Sequence, residues 1–529
     1  MSDGVHPLPS GWVYAALGES CLIIQGQSPP GETYNTAGEG LPFFQGKAEF
    51  GEIYPTTVKW CSAPTKTAEP GDVLISIRAP VGPTNLCPAL SCIGRGLAAV
   101  RPFGGTPPRY VLYGLRSTEN VLASKGTGTT FTAVGGGELR AHGLPLAPLA
   151  EQRRIVEEIE KQLTRLDAAV AALERARANL KRYRASVLRA ACEGRLVPTE
   201  AELARAEGRD YETADKLLER ILKERRGRWE ADQLAKMQAK GKVPEDDKWK
   251  AKYQEPSAPE TDGLPEPPEG WAWATSDTLF SFVTSGSRGW AEYYSTEGPL
   301  FLRMGNLDHD SISLDLADVQ RVNAPSRAEG RRTRVRPGDI LISITADVGM
   351  IALIPVHLDE AYINQHIALA RPVDSAQAPY VAWFLASERG QQQLRKLQRG
   401  ATKVGLGLND IRAVLIPVPP ASEQQRIVAE LERRLSVIAE LEIANSHGLR
   451  RAERLRQSLL KRAFEGKLVP QDPNDEPASV LLERIRKERS SAAQAQDSRR
   501  KGRGQRRRSV RQGAVASQSP FERKAGGPV

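Results

Sequence analysis

The sequence predicts an α+β protein: two mixed α/β globular halves separated by two long helices that pair as a coiled-coil-like spacer. Three observations predict it. A 48-residue segment occurs twice without a gap, each copy follows about 145 residues of short apolar runs broken by Gly and Pro, and each copy carries apolar residues at helical spacing over nearly 40 positions. A chain of 529 residues also exceeds what one hydrophobic core organises, and suggests three or four structural units.

The repeat is clearest where Glu151-Gln152-Arg153-Arg154-Ile155-Val156 matches Glu423-Gln424-Gln425-Arg426-Ile427-Val428, at an offset of 272. The register holds to Glu193-Gly194-Arg195-Leu196-Val197-Pro198 against Glu465-Gly466-Lys467-Leu468-Val469-Pro470. An insertion in a packed helix rotates every later side chain off its face, so equal length means that helix length and phase matter in both copies. Pro9-Ser10-Gly11-Trp12 recurs as Pro268-Glu269-Gly270-Trp271, Pro70-Gly71-Asp72-Val73-Leu74-Ile75-Ser76-Ile77 as Pro337-Gly338-Asp339-Ile340-Leu341-Ile342-Ser343-Ile344, and Arg101-Pro102 as Arg371-Pro372. Leu217-Leu218-Glu219-Arg220-Ile221 returns as Leu481-Leu482-Glu483-Arg484-Ile485. Two copies make a duplication, not a solenoid.

Within each half, Val73–Ile77 and Ile340–Ile344 are brief, β-branched and bounded by Gly or Pro, as buried strands are. Tyr110–Ser124 and Tyr380–Leu397 read as helices. The long helices carry their seams on Ile155, Ile159, Leu163, Leu166, Val170, Leu173, Leu180 and Val187, and on Ile427, Leu431, Leu435, Ile438, Leu441, Ala452, Leu455 and Leu459. Nearly 40 residues make a rod of roughly 55–60 Å at 1.5 Å rise. Such a rod outruns a domain about 30–40 Å across, so each seam is expected to pair with the other copy's helix. Asn445, His447 and Gly448 interrupt the second seam and read as a local irregularity.

Charge adds less than it promises. The net charge is +10, but ten Lys and Arg against Asp497 and Glu522 place +8 of it in residues 490–529. That Gly-, Ser-, Gln- and Arg-rich tail is expected to be disordered and to attract phosphate without reading sequence. No run approaches the roughly 18 apolar residues that span a bilayer. The first residues lack a signal-peptide pattern, and the five cysteines are an odd number, so a cytoplasmic location is expected. Cys87 and Cys92 read as buried small hydrophobes, not metal ligands.

Catalytic signatures are missing. Gly126-Thr127-Gly128-Thr129-Thr130 and Gly135-Gly136-Gly137 lack the Lys of a phosphate-binding loop. There is no dinucleotide-binding fingerprint, no Asn/Asp-Pro-Pro-aromatic tetrapeptide of the amino-methyltransferases, and the six histidines are scattered. Ser76 and Ser343 lie in equivalent strands without a paired His, and read as strand serines, not nucleophiles. No catalytic residue and no metal ligand is expected, and the chain reads as a binding protein.

Each half closes on Pro-x-x-Pro-x-x-Glu-Gln-x-Arg-Ile-Val or its near match: Pro145-Leu146-Ala147-Pro148-Leu149-Ala150-Glu151-Gln152 and Pro417-Val418-Pro419-Pro420-Ala421-Ser422-Glu423-Gln424. Each helix segment ends in Glu-Gly-(Arg/Lys)-Leu-Val-Pro. Over residues 8 to about 490 this pattern resembles the specificity (S) subunit of Type I restriction–modification systems. The resemblance implies two target recognition domains that each read one half of a bipartite DNA site, with the two helices running antiparallel as a spacer in a pseudo-two-fold arrangement. It implies double-stranded DNA, two methyltransferase (M) subunits and nuclease/translocase (R) subunits as partners, with S-adenosylmethionine, ATP and Mg2+ bound by those partners and no cofactor in this chain.

On that basis residues 1–148 are the first target recognition domain and 149–198 the first spacer helix; 199–265 form a charged helical connector and Pro-rich linker. Residues 266–420 are the second domain, 421–470 the second spacer helix, 471–489 a short helical extension and 490–529 the basic tail. Candidate DNA contacts are basic and amide residues flanking the repeated framework: Arg78, Arg95 and Lys125 in the first half, and Arg303, Asn306, Asn364, Gln365, Arg399 and Lys403 in the second. Arg can pair bidentately with guanine edges and Asn or Gln with adenine edges, while Lys125 and Lys403, beside Gly-containing loops, suit phosphate. The halves differ outside the framework, so the expected site is asymmetric. The competing reading is a coiled-coil scaffold with no DNA role, whose assembly, unlike DNA binding, would not weaken steeply with salt.

Overall fold

The computed structural model describes residues 7–126, 133–241, 244, 246–324, 328–399 and 405–491. Two compact units form: one from Met1–Leu173 with His447–Val529, the other from Glu174–Ser446. Lys403 and most of the basic tail lie outside the described residues.

The first unit is organised by a four-stranded antiparallel sheet in the order Cys21–Gln25, Leu97–Pro102, Val73–Ser76, Thr84–Leu86. Val73–Ser76 is buried along its whole length, the burial its continuous apolar run requires. Helix Pro108–Ser117 covers one face with Tyr110, Leu112 and Tyr113. A second sheet of five short strands is built around Leu41–Phe44, which runs parallel to Ser91–Ile93. The strand Val13–Ala16 pairs with Gly143–Leu146 and ties the start of the head to the beginning of the long helix.

The repeated motifs turn out to bind one another. Arg101 grips Asp72 with two hydrogen bonds, of 2.8 and 2.9 Å, so the Arg-Pro motif holds the Pro-Gly-Asp turn. Gly71 sits at φ +86°, a backbone state open to glycine and strained for other residues. The Tyr110 hydroxyl donates to the Pro145 carbonyl at 2.9 Å, and Gln152 Nε2 to the Ala147 carbonyl at 2.8 Å. Trp12 donates its indole N–H to Glu151, and Arg154 pairs with Asp475 at 2.6 Å. Residues 478–491 are helical and complete the core with Ala478, Leu481, Leu482 and Ile485.

The second unit repeats this plan. Its sheet runs Phe280–Ser285, Ile367–Pro372, Ile340–Ser343, Ile351–Leu353, with a three-stranded insertion around Tyr294–Leu302. Arg371 grips Asp339 at 2.7 and 2.6 Å, Tyr380 donates to the Pro417 carbonyl, Gln424 to the Pro419 carbonyl, Trp271 to Glu423, and Arg426 pairs with Glu200. The connector supplies helices Glu200–Glu207 and Ala214–Gln238, whose Leu217 and Ile221 enter the core as Leu481 and Ile485 do in the other unit. The segments expected as single helices each break once: Thr118 separates Pro108–Ser117 from Glu119–Ser124, and Ser387 separates Ala378–Ala386 from Glu388–Leu397. The Ser387 hydroxyl caps the second of the latter by accepting from the Gly390 N–H.

Both long helices, Leu149–Cys192 and Ala421–Phe464, have 44 residues, and each gives its first part to one unit and its last part to the other. They stop short of residues 198 and 470, the expected ends, because Gly194 and Gly466 turn the chain at φ +66° and +68°. In the first unit Ile155 and Ile159 share a core with Leu460, Ala463 and Phe464. Farther along, Asp167 pairs with Arg456, and Leu173 lies against Gly448, where a Cβ would come within 3.1 Å of the leucine. Rising numbers on one helix meet falling numbers on the other, so the pairing is antiparallel. In the second unit Leu188 and Cys192 line one small cavity together with Ile427 and Leu431.

Ile155, Ile159, Val187, Ile427, Leu431, Leu435, Ile438, Ala452 and Leu459 are buried, and Leu163, Leu166, Val170, Leu173 and Leu180 half-buried. Leu441 and Leu455 correct the expected seam: they are 50% and 49% exposed. The buried row Leu431, Ile438, Asn445, Ala452, Leu459 advances in sevens, with its companion row four residues on at Leu435, Leu449 and Ala463. Leu441 and Leu455 stand three residues on, one step around the helix from that companion row. The helix is continuous through Asn445, His447 and Gly448, so no irregularity interrupts it.

Candidate nucleic-acid interface

In the first unit the central strand leaves the core at Ile77 and the chain turns at Arg78, where the Ser76 hydroxyl donates to the Arg78 carbonyl at 3.0 Å. This is the work Ser76 does, and Ser343 does the same for the Asp347 carbonyl at 2.6 Å. Beside it the turn Gly94-Arg95-Gly96 is pinned by close backbone packing: a Cβ on Gly96 would lie 2.2 Å from the Gln45 carbonyl oxygen. The Gly94 N–H donates to the Phe44 carbonyl at 2.8 Å, which brings the end of the insertion strand to the same place. Arg78 and Arg95 thereby share one groove of about 220 Å3 with Ser28, Gln45 and Lys47. Lys47, Arg78 and Arg95 form no ion pair among the described residues. Three cations and an amide gathered here give this edge positive charge and hydrogen-bonding capacity, with Lys47 also facing Glu119.

Lys125 is exposed but does not line this groove. It stands near His142, whose Nε2 meets the Thr118 hydroxyl at 2.8 Å. Burial, with Lys125 adding to it, pushes the His142 imidazole down to about 4.

The corresponding edge of the second unit has different chemistry. Thr345, two residues past Ser343 as Arg78 is past Ser76, bonds through its hydroxyl to His366 Nδ1. Gln365 Nε2 meets His366 Nε2 at 3.0 Å, and Asn364 Oδ1 accepts the His366 N–H at 3.0 Å. The Asn364 N–H donates to the Leu302 carbonyl, which sets Arg303 beside the turn. Arg399 and Thr345 both bridge to Gly405, and the Arg399 guanidinium pairs with Asp410 at 2.9 Å. Arg332 adds bonds to the Thr284 and Ser287 hydroxyls at 2.7 and 2.8 Å. Arg303, Asn364, Gln365 and Arg399 thus come together with Thr345, His366 and Arg332. Spacing gave no signal for these last three, nor for Ser28, Gln45 and Lys47, because they come from separate segments.

Asn306 departs from its expected role. It is 2% exposed, its Oδ1 accepts the Arg303 N–H, and its Nδ2 donates to the Asp315 and Asp318 carbonyls. With both ends committed it shapes the loop and cannot reach a base edge.

Among the described residues no group of three His, Cys, Asp or Glu could hold a metal ion, and no helix is long and apolar enough to cross a membrane. All five cysteines are buried and free; burial pushes the Cys21 and Cys92 thiols up to about 12 and Cys192 up to about 11.

Residues 331–444 match the Type I restriction modification DNA specificity domain. The chain is 24% identical over 375 residues to the Type I restriction enzyme EcoBI specificity subunit of Escherichia coli, covering 68% of this chain and 67% of that one. It is 35% identical over 159 residues to the putative type I restriction enzyme MjaX specificity subunit of Methanocaldococcus jannaschii, covering 30% and 37%. In fold it is similar, with a TM-score of 0.61 and 21% identity over 87% of this chain and 100% of the other, to a chain solved in work on complex assembly and conformational transition of the type I R-M system.

Proposed function

Taking this chain as a non-catalytic specificity subunit of the Type I restriction–modification family, we propose that it recognises a bipartite, asymmetric DNA site and directs partner subunits to it. One observation carries the reading. The same framework is built twice, yet the equivalent edges carry Lys47, Arg78 and Arg95 in one head and Thr345, Gln365 and His366 in the other. Two heads with different donors and acceptors at one position suit two different half-sites.

Two heads also supply what one cannot. A mismatched base pair costs only about 1–3 kcal/mol, so a head touching a few base pairs discriminates weakly against a genome. Joining two heads adds their discrimination, while rigid-body freedom is lost once. The two helices of equal length are suited to fix the gap between half-sites, expected to be about one helical turn. Methylation and cleavage then belong to two M subunits and to R subunits, which bind S-adenosylmethionine, ATP and Mg2+, in the cytoplasm.

The test is a map of adenine methylation in cells carrying this chain with its M partner. A split motif that disappears on deletion of the chain supports the reading; an unchanged map beside an active partner overturns it. Exchanging residues 8–148 for the corresponding half of another such protein changes one half-motif and leaves the other.

A further inference from the structure

In the unit formed by residues 174–446, a cleft of about 1330 Å3 lies between the connector and the second head. Seven cationic residues line it against four acidic ones. Four of the seven are engaged: Arg225 and Arg412 with Asp277, Arg371 with Asp339, and Arg228 with Glu224. Lys252 on the connector wall and Arg331 and Arg336 on the head wall are exposed; Lys252 and Arg331 have no ion pair among the described residues, and Arg336 faces Asp339, which Arg371 already holds.

The connector wall is a built surface. Trp229 stacks on Trp249 at 6.1 Å and meets Tyr253 at 5.3 Å. The Tyr253 hydroxyl accepts from Arg225 Nη1 at 2.7 Å, and the ring lies under the Arg225 and Arg226 guanidinium groups. Residues 492–529, which follow the matching helix in the sequence, contain no Trp or Tyr.

The cleft also connects to the edge described above. Arg331 lines it, while the adjacent Arg332 bonds to Thr284 and Ser287, and Ser287 bridges to Asn364. We propose that this cleft holds the sugar–phosphate backbone of duplex DNA running on beyond the half-site that the second head contacts. The inference rests on the DNA-binding reading of that head. Open, polar walls with unpaired point charges on both sides suit phosphates, which need charge and no shape, whereas small-molecule sites are enclosed and mostly apolar. An acidic protein segment would match the charge, but nothing links such a segment to the Ser287–Asn364 edge.

The experiment measures binding of the full chain to a fluorescent 40-base-pair duplex of random sequence by anisotropy, from about 50 to 300 mM KCl, a range over which phosphate contacts weaken steeply. The variant Lys252→Gln/Arg331→Gln/Arg336→Gln is expected to melt as the parent does, to bind roughly tenfold or more weakly at low salt, and to lose about 2–3 from the log–log salt slope, at 0.9 per phosphate. Unchanged affinity and slope overturn the proposal. Arg78→Ala/Arg95→Ala separates the two failures: if it weakens binding while the cleft variant does not, only the cleft proposal falls, and if neither does, the DNA-binding reading falls with it. A fluorescent poly-glutamate peptide that binds the parent and not the cleft variant, with DNA affinity unchanged, assigns the cleft to an acidic protein segment and also overturns the proposal.

Discussion

Trp12 donates its indole N–H to the Glu151 carboxylate at 2.9 Å across 139 residues of chain, and the bond is buried. It fastens the start of the first head to the first turn of the long helix. The copy is better satisfied: Glu423 takes the Trp271 indole at 2.9 Å on one oxygen and the Glu200 N–H at 2.8 Å on the other, whereas Glu151 Oε1 has no partner. Removing a donor from a buried charged group costs about 1–3 kcal/mol or more. Trp12→Phe therefore destabilises its unit by more than Trp271→Phe does, read as the drop in each calorimetric transition; equal drops would show that the second donor on Glu423 contributes nothing.

Asn445 offers a stabilising change. It is 5% exposed, both side-chain polar atoms lack a partner, and the equivalent position of the first helix holds Leu173. A buried unsatisfied amide costs about 1–3 kcal/mol, so Asn445→Leu is expected to raise the melting temperature by several degrees. A lower melting temperature would mean that the amide is satisfied in solution.

His142 gives the first unit a pH dependence. Its folded value is pushed down to about 4 from an unfolded value near 6.5, so between these the unfolded chain binds the extra proton. Its contribution is complete above pH 6.5 and is lost as pH falls toward 4. At pH 5 the loss is about 2 kcal/mol at 1.36 kcal/mol per unit. Burial raises Glu151 and Glu423, which acts in the opposite sense, so the informative quantity is the difference between parent and His142→Asn melting at pH 7 and pH 5. The gap between them should shift by that amount, and a constant gap would place His142 outside the acid response.

Much of the framework is legible because its parts are written twice. Pro-Gly-Asp and Arg-Pro recur together, and in space they are the Asp72–Arg101 and Asp339–Arg371 pairs. The seam is less legible where spacing is ambiguous: three and four residues both keep a helical face, and only the partner helix decides that Leu435 turns inward while Leu441 turns out. The interface is least legible. Lys47 reaches Arg78 and Arg95 through a parallel strand pair, and Asn306 is consumed by carbonyls 9 and 12 residues away. Neither fact leaves a mark at the residue itself, because polar side chains take their role from the loop that happens to face them.

That contrast gives the sharpest test of the interface. Arg95 stands on an exposed turn with no ion pair, so Arg95→Ala should leave melting within about 0.5 kcal/mol of the parent, as surface changes usually do. If it contacts a base edge bidentately, binding to the target weakens by about 1–3 kcal/mol and one position of one half-motif relaxes. If it contacts phosphate, binding weakens on all sequences and the salt slope falls by about 1. Asn306→Ala should do the reverse. Three hydrogen bonds end in that side chain, and the Arg303 N–H and two carbonyls would lose their partner. Its expected signature is a melting temperature several degrees lower and easier proteolysis near residues 303–318, with the other half-motif read as before. Should Asn306→Ala instead melt like the parent and relax one base of the motif, the buried loop anchor would have to be exchanged for a direct DNA contact, and the loop would have to open to make it.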